Sequence, residues 1–269
     1  MRLLIDALTH SDTPVSINAI ATVSRIASNR AQFDELVGVR AADLPRELVQ
    51  QLRPRVYAAA VQGARTPQYW KIHDAWSLVA PGSPLIPASL TRGVLYVVRN
   101  PLDVAVSLSR HLAVSQDAAI DFMADDAAML ARDPRALPDQ LPQLLRSWSG
   151  HVASWLHESQ LPLELVRYED LKLQPLVSVR ATAEFLGLPS DEHLLQAALA
   201  ATAFDKLRAQ EASEGFRELN RHAEVFFRRG EAGAWREQLS ESQARRLIAD
   251  HGPMMRSLGY LDAAGRLLC

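Results

Sequence analysis

An arginine followed by a proline-started helix marks a candidate anion site near the middle of the chain. Arg99 follows the apolar run GVLYVV, and Asn100 and Pro101 suit the cap and first position of a helix. The exposed N–H groups and dipole of a helix N-terminus attract an anion, which Arg99 can clamp with two hydrogen bonds. Ser107 lies one turn beyond Asp103, so its hydroxyl can donate to the same anion. The alternative interpretation is a surface arginine at a strand end.

Lys71 and His73 form a second pair of interest. They are separated by one residue in the run QYWKIHD, whose residue types predict a β-strand. Residues two apart on a strand point to the same face, so we expect both side chains on one surface. A lone histidine on a strand can equally be a packing residue, and the local sequence leaves both interpretations open.

Strands alternate with helices around these residues, which predicts an α/β sheet with crossover connections. The runs QYWKIHD, GVLYVV and LPLELVRY predict strands, of which the first two are expected to be buried and parallel. Helices are predicted over roughly residues 101 to 112, over the stretch from Leu144 to Trp155, and over a segment that stops at Gly187. A capping box of Ser240 and Gln243 predicts the start of the last helix.

Other segments carry weaker signals. Residues 14 to 66 are expected to be helical in pieces, broken at prolines that include Pro54. The acidic stretch 113 to 142 predicts a solvated helical insertion in preference to a metal site. The stretch from Gln210 to Arg236 is expected to be irregular.

Composition limits the function classes. The 269 residues hold 29 Lys and Arg against 31 Asp and Glu, so a net charge of −2 gives no basic field for nucleic acid. The one cysteine, Cys269, excludes an internal disulfide and a zinc site built from several thiolates. No run of about 18 apolar residues predicts a membrane span, and the N-terminal apolar run is too short for a secretory signal. We expect a single cytoplasmic domain over residues 1–269.

The segment YVVRNPLDVAVS, residues 96 to 107, resembles the signature with which cytosolic-type sulfotransferases hold the 3′-phosphate of 3′-phosphoadenosine 5′-phosphosulfate. Four further segments resemble that family in the same order. They are WKIHDAW at 70 to 76, RYEDL at 167 to 171, TAFDKLRAQE at 202 to 211 and FFRRGEAGAW at 226 to 235. The resemblance implies a P-loop-NTPase-like parallel sheet flanked by helices. It also implies sulfuryl transfer to a hydroxyl of a small molecule or a glycan, without a metal.

The resemblance also implies a role for each matching residue. His73 would be the general base and Lys71 would stabilise charge on the transferring group. The 3′-phosphate would be held by Arg99 and Ser107 together with Arg228, Arg229 and Gly230. Tyr168, Thr202 and Phe204 would line the adenine pocket. The donor and its product, adenosine 3′,5′-bisphosphate, would bind at this same site.

One family element is missing from the sequence. Members begin with a strand and a Pro-Lys-Ser-Gly type loop that binds the 5′-phosphosulfate, whereas MRLLIDAL resembles the helix that follows that loop. We expect either a start codon placed too far downstream or a natural truncation. In the second case the chain would be a non-catalytic nucleotide-binding or interaction protein that retains the 3′-phosphate site. A P-loop kinase relative is disfavoured because the phosphate loop and a Walker-type aspartate are missing.

Overall fold

The computed structural model describes residues 1–10, 13–132, 139–219, 225–228 and 230–268. The chain divides into two compact units. The first unit comprises residues 1–23, 95–122 and 164–269, and the second comprises residues 24–94 and 123–163. The single domain expected over residues 1–269 therefore stays a prediction.

The first unit is mostly helical around one strand pair. Its strands are β5 (Val94–Val98) and β8 (Leu163–Arg167), which pair with each other. Its helices are α1 (Arg2–Thr9), α2 (Ile20–Val23), α5 (Pro101–His111), α6 (Gln116–Ala124), α8 (Tyr168–Leu173), α9 (Pro175–Leu186), α10 (Glu192–Ala201), α11 (Phe204–Glu214) and α12 (Glu241–Ser257). Apolar side chains of α1, α9, α10 and α11 form its core, with Leu4, Val179, Leu195 and Leu207 among them.

In its described residues the second unit combines short strands with α-helices. Its strands are β1 (Ser24–Ile26), β2 (Tyr69–Lys71), β3 (Leu78–Ala80), β4 (Ser83–Pro84), β6 (Met129–Leu130) and β7 (Gln143–Leu144). Its helices are α3 (Arg30–Val37), α4 (Arg46–Ala60) and α7 (Trp148–Ala153). β1 and β2 are parallel with Arg25 opposite Trp70, whereas β3–β4 and β6–β7 are antiparallel. The α/β class with parallel pairing is confirmed.

Three predicted helix ends are confirmed: the start of α5, the end of α9 and the start of α12. The Asn100 side chain accepts from the Leu102 N–H at 3.0 Å, and α5 begins at Pro101 as predicted. Gly187 ends α9 with a left-handed φ of 68°, a conformation that glycine adopts without a Cβ clash. Ser240 and Gln243 form the expected capping box at the start of α12.

Two predictions for the first 66 residues are wrong. Ser24–Ile26, expected to be helical, forms strand β1 because it pairs with β2 more than 40 residues later. Pro54, expected to break a helix, lies inside α4. The helix persists around this proline because Val49, Val56 and the flanking side chains are buried, and tertiary packing offsets the lost backbone hydrogen bond.

Three further boundaries differ from the prediction. Strand β2 ends at Lys71, so His73 lies beyond the strand and the alternation rule does not apply to it. Leu144 belongs to β7 because it pairs with β6, and the helix after it begins only at Trp148 with Ser147 as its cap. The predicted irregular stretch begins five residues late, at Gly215, since α11 continues to Glu214.

The acidic insertion is helical only in part. Its described helix is α6, on which Asp117 accepts from Gln243 at 2.8 Å and Asp121 pairs with Arg246 at 2.6 Å. Asp133 lies outside the described residues. Within the described ranges, no three His, Cys, Asp or Glu side chains are grouped so that they could hold a metal ion.

A buried ion pair anchors the second unit. The Arg53 guanidinium donates to both Asp74 oxygens at 2.7 Å, and the two side chains are 0% and 1% exposed. Arg53 also donates to the Tyr57 hydroxyl at 2.8 Å, which in turn donates to the Ala27 carbonyl. Burial alone would lower the pKa of Arg53, but the charge of Asp74, the Tyr57 hydroxyl and the hydrogen bonds to both together outweigh burial and raise that pKa. The pair thus ties α4 to the segment that follows β2.

We predict that Asp74→Ala lowers the free energy of unfolding by about 3–5 kcal/mol, because it leaves the Arg53 charge buried without its partner. Urea denaturation measures this loss. The matched control is Asp43→Ala, which removes an Arg40 ion pair whose side chains are 76% and 49% exposed. Its denaturation midpoint should stay unchanged, because water screens such pairs. Equal effects of the two substitutions would contradict the prediction.

Candidate functional site

The predicted binding residues all fall in the first unit and the predicted catalytic residues in the second. Those in the first unit and in the described ranges are Arg99, Ser107, Tyr168, Thr202, Phe204, Arg228 and Gly230. Arg229 lies outside the described residues. Lys71 and His73 belong to the second unit.

The turn between β5 and α5 is fixed by a buried glutamate. Glu169 is 2% exposed and accepts from the Asn100 N–H at 2.9 Å with one oxygen. Its other oxygen accepts from the Tyr260 hydroxyl at 2.9 Å. An ionised carboxylate gives charge-assisted hydrogen bonds to such donors, which are stronger than neutral ones. Glu169 therefore sets the position of Arg99, the residue that precedes this N–H.

Asp103 holds the loop that follows the basic segment. Its buried carboxylate accepts from the Gly233 N–H at 2.7 Å and from the Trp235 N–H at 3.0 Å. Arg99 donates to the Glu231 carbonyl at 2.7 Å and lies 3.6 Å from an Asp103 oxygen. The first turn of α5 is thus joined to a loop about 130 residues later, directly after Gly230 in the chain.

A third carboxylate, that of Glu211 on α11, holds the other end of the same loop. It is buried and accepts from the Phe226 N–H at 2.6 Å and the Phe227 N–H at 2.8 Å. Both rings also pack against Phe216. Arg228 and Gly230 therefore lie on a short segment whose two ends are held by buried carboxylates.

Cations and aromatic rings meet beside this loop in what we call the aromatic–basic cluster: Arg99, Tyr168, Lys172, Phe204 and Gly230. The Arg99 guanidinium carbon lies 4.5 Å from the centre of the Tyr168 ring. The Lys172 ammonium lies 5.7 Å from that centre and 5.4 Å from the centre of the Phe204 ring. These distances are in the range of cation–π attraction. The cluster combines positive charge with two aromatic faces.

Gly230 brings the backbone of the loop against Phe204. Its φ is +63°, and a Cβ at this position would lie 2.5 Å from the ring atoms Cδ2 and Cε2 of Phe204. No side chain fits there, so the loop backbone lies directly against the Phe204 ring. The family resemblance had placed both residues at the nucleotide, and the structure brings them into contact.

The electrostatics of the cluster favour an anion. Burial and the neighbouring Arg99 charge both lower the pKa of Lys172, while Glu231 opposes them. Burial raises the pKa of the Tyr168 hydroxyl, against the effect of Arg99. In the described part of the chain, the buried Nε of Arg99 has no hydrogen-bond partner. A negatively charged ligand would relieve the repulsion between the two cations.

The remaining predicted binding residues lie on neighbouring elements. Ser107 is exposed on α5, one turn beyond Asp103. The Thr202 hydroxyl donates to the Ala198 carbonyl at 2.8 Å at the end of α10, two residues before Phe204. Arg228 is exposed on the held loop.

In the second unit, the backbone around His73 is held by side chains of α7 and the turn after it. The His151 Nε2 donates to the His73 carbonyl at 3.0 Å, and the Trp155 indole donates to the Asp74 carbonyl at 3.1 Å. Burial lowers the pKa of His151 and so favours the neutral ring. The hydrogen bond to the His73 carbonyl acts in the opposite direction and raises that pKa.

The chain direction after His73 is fixed by two further bonds. The Ala75 N–H donates to the Leu144 carbonyl at 2.7 Å, and the Trp76 N–H donates to the Ser154 hydroxyl at 3.0 Å. Lys71 and His73 themselves are half-buried. The segment therefore leaves the β2 ladder because bonds to β7 and to the turn after α7 replace strand pairing.

The sequence reasoning missed four residues that shape these sites. Glu169 and Glu211 stand inside the segments that resemble the family, yet their partners are distant in the chain. Lys172 had a local signal, because it lies four residues after Tyr168 on one helix face. His151 had none, since its partner His73 is 78 residues away.

A protein-family model described as a sulfotransferase domain matches residues 83–259. Sulfotransferase 2B1 of Mus musculus is 29% identical over 163 residues, which is 56% of this chain and 44% of the relative. Sulfotransferase 1C2 of Oryctolagus cuniculus is 23% identical over 223 residues, covering 75% of this chain and 69% of the relative. Cytosolic sulfotransferase 16 of Arabidopsis thaliana is 25% identical and covers 61% and 51%. The chain spans about half the length of most of these curated relatives.

Solved structures show the same fold. A retinol dehydratase in complex with androsterone and the inactive cofactor PAP superposes with a TM-score of 0.61 at 18% identity, covering 95% of this chain and 76% of that one. A mouse sulfotransferase, SULT7A1, complexed with PAP, superposes with a TM-score of 0.55 at 17% identity, covering 98% and 91%. The predicted sulfotransferase variant of the α/β fold is therefore confirmed.

No described helix has the length and apolar character that a membrane crossing requires.

We predict that Gly230→Ala destabilises the protein more than Gly38→Ala does. Both glycines have a positive φ, which costs an alanine roughly 1–2 kcal/mol. Only at Gly230 would the new Cβ also meet the Phe204 ring, whereas Gly38 has open space. Urea denaturation compares the two variants. In a Phe204→Ala background the excess loss should disappear, and equal losses at the two glycines would contradict the close contact.

Proposed function

The chain belongs to the sulfotransferase family, and on that premise we propose that it binds 3′-phosphoadenosine 5′-phosphosulfate and moves the sulfuryl group to an acceptor hydroxyl. The observation that carries the proposal is the aromatic–basic cluster. Segments around residues 99, 168, 204 and 230 are far apart in the chain, and they contact one another in the first unit. A nucleotide bisphosphate needs this combination of aromatic faces, cations and close backbone.

The residues of the cluster fit the nucleotide. The rings of Tyr168 and Phe204 offer faces for the adenine base. Arg99, with its unpartnered buried Nε, and the exposed Arg228 would hold the 3′-phosphate, and Gly230 lets the backbone come close. Ser107, Thr202 and Arg229 complete the set by family resemblance. Similar folds solved with PAP support this assignment.

The bound donor supplies an activated sulfuryl group. We assign the general base to His73, which would take the proton of the acceptor hydroxyl, since an imidazole titrates near neutral pH. The bonds from His151 and Trp155 to the backbone at residues 73 and 74 keep this base in place. Lys71 would stabilise the negative charge that gathers on the transferred group. No step of this scheme requires a metal.

The acceptor in this proposal is a small-molecule or glycan hydroxyl. The solved retinol dehydratase complexes contain androsterone or retinol, which are hydroxyl-bearing small molecules. Nucleic acid is disfavoured as a partner by the net charge of −2. Two curated relatives are named cytosolic sulfotransferases, which supports a cytoplasmic location for this chain.

We predict that Arg99→Ala and Arg228→Ala each weaken binding of adenosine 3′,5′-bisphosphate by about tenfold or more, because each removes a charge-assisted contact to a phosphate. Isothermal titration calorimetry measures the affinities. Arg245→Ala is the matched control, since Arg245 is 72% exposed on α12 and pairs only at the surface. It should bind like the wild type. Unchanged affinity in both site variants would refute the assignment of the nucleotide site.

We predict that His73→Ala abolishes sulfuryl transfer and leaves bisphosphate affinity within about twofold, because a general base acts on the acceptor and not on the nucleotide. Transfer is measured with radiolabelled donor and a panel of hydroxyl acceptors. Turnover retained by His73→Ala would remove this residue from the base role.

A further inference from the structure

Lys172 is the one member of the aromatic–basic cluster to which the family resemblance assigned no role. It lies in the last turn of α8, is exposed, and reaches the faces of both Tyr168 and Phe204 with one ammonium group. The two rings belong to elements that lie more than 30 residues apart in the chain. Lys172 therefore adds a second cation, after Arg99, beside the rings that are proposed to stack on the base.

The ammonium competes with a purine for the same ring faces. A base stacked on Tyr168 or Phe204 would occupy the space within about 6 Å of the ring centres, where the ammonium now lies. At an exposed site a cation–π contact is weak, so a stacked base can displace it. The four-carbon arm of a lysine allows the charge to move several ångströms without a backbone change.

An anionic ligand would give the displaced Lys172 ammonium a new partner. Arg99 and Lys172 both lie within 6 Å of the centre of the Tyr168 ring, so two like charges are held near each other. This repulsion contributes to the lowered pKa of Lys172, and the exposed Glu231 compensates for it only in part. A phosphate beside Arg99 would attract the ammonium away from the rings.

We infer that Lys172 is a further cation of the nucleotide site: the purine displaces its ammonium from Tyr168 and Phe204, and the ammonium then pairs with a phosphate of the same nucleotide. This inference rests on the proposed nucleotide-binding function. It makes Lys172 a binding residue whose charge discriminates a phosphorylated nucleoside from the bare nucleoside.

The test compares adenosine 3′,5′-bisphosphate with uncharged adenosine by calorimetry. Lys172→Gln should bind the bisphosphate about tenfold more weakly than the wild type, the loss expected for one charge-assisted contact. Its affinity for adenosine should be equal or higher, because the base no longer has to displace a cation. Lys172→Arg should keep most of the bisphosphate affinity. Lys206→Gln, which removes an exposed lysine from the neighbouring helix α11, is the matched control and should change neither affinity.

The outcomes separate this inference from the proposed function. If Arg228→Ala loses the bisphosphate while Lys172→Gln binds it like the wild type, the inference is wrong and the nucleotide site stands. Equal weakening of adenosine and bisphosphate by Lys172→Gln also overturns it, since the lysine would then only shape the pocket. A wild type that does not bind the bisphosphate overturns both.

Discussion

Buried carboxylates that accept backbone N–H groups are the interaction on which the candidate site depends. Glu169 fixes the turn before α5, Asp103 holds the loop at Gly233 and Trp235, and Glu211 holds it at Phe226 and Phe227. A charged group removed from water is costly unless donors surround it. Each carboxylate therefore holds the backbone segment that donates to it in one conformation, and each such bond is worth about 1.5–3 kcal/mol.

This arrangement explains how the described residues Phe226, Phe227, Arg228 and Gly230 are held although they lie outside the helices and strands. Arg228 is exposed and Gly230 has no side chain, so burial of their own side chains cannot hold this segment. The carboxylates on α5 and α11 hold the peptide groups on either side instead. The cations that remain, at Arg99 and Lys172, are placed on the rings of Tyr168 and Phe204. The buried carboxylates thus order the loop, and the cations Arg99 and Lys172 lie against the two rings.

In the second unit, too, a buried carboxylate is paired, but its partner is a guanidinium group. Asp74 is neutralised by Arg53 in place of N–H donors, and the bonds of His151 and Trp155 to neighbouring carbonyls fix the chain on either side of it. The base that we propose at His73 needs a fixed position, because proton transfer depends strongly on distance. The prediction that Lys71 and His73 lie on one strand face was wrong, because strand β2 ends at Lys71 and the hydrogen bonds of His151 and Trp155 hold the chain after it.

Sequence patterns were enough to predict the family, the α/β class, the start of α5, the glycine end of α9 and the capping box of α12. These features depend on residues within one or two turns of each other, or on ordered motifs, so they can be found without knowing the fold. The sequence also placed Arg99, Tyr168, Phe204 and Gly230 in one site by resemblance.

Only the tertiary structure decided which residues hold that site. Strand β1, the persistence of α4 through Pro54, the bonds of Asp103 to a loop 130 residues away and the position of Lys172 over Phe204 all depend on distant partners. Local propensity carries no information about such partners, because the energy of a buried charge or a paired strand is set by groups that meet only after the chain has folded.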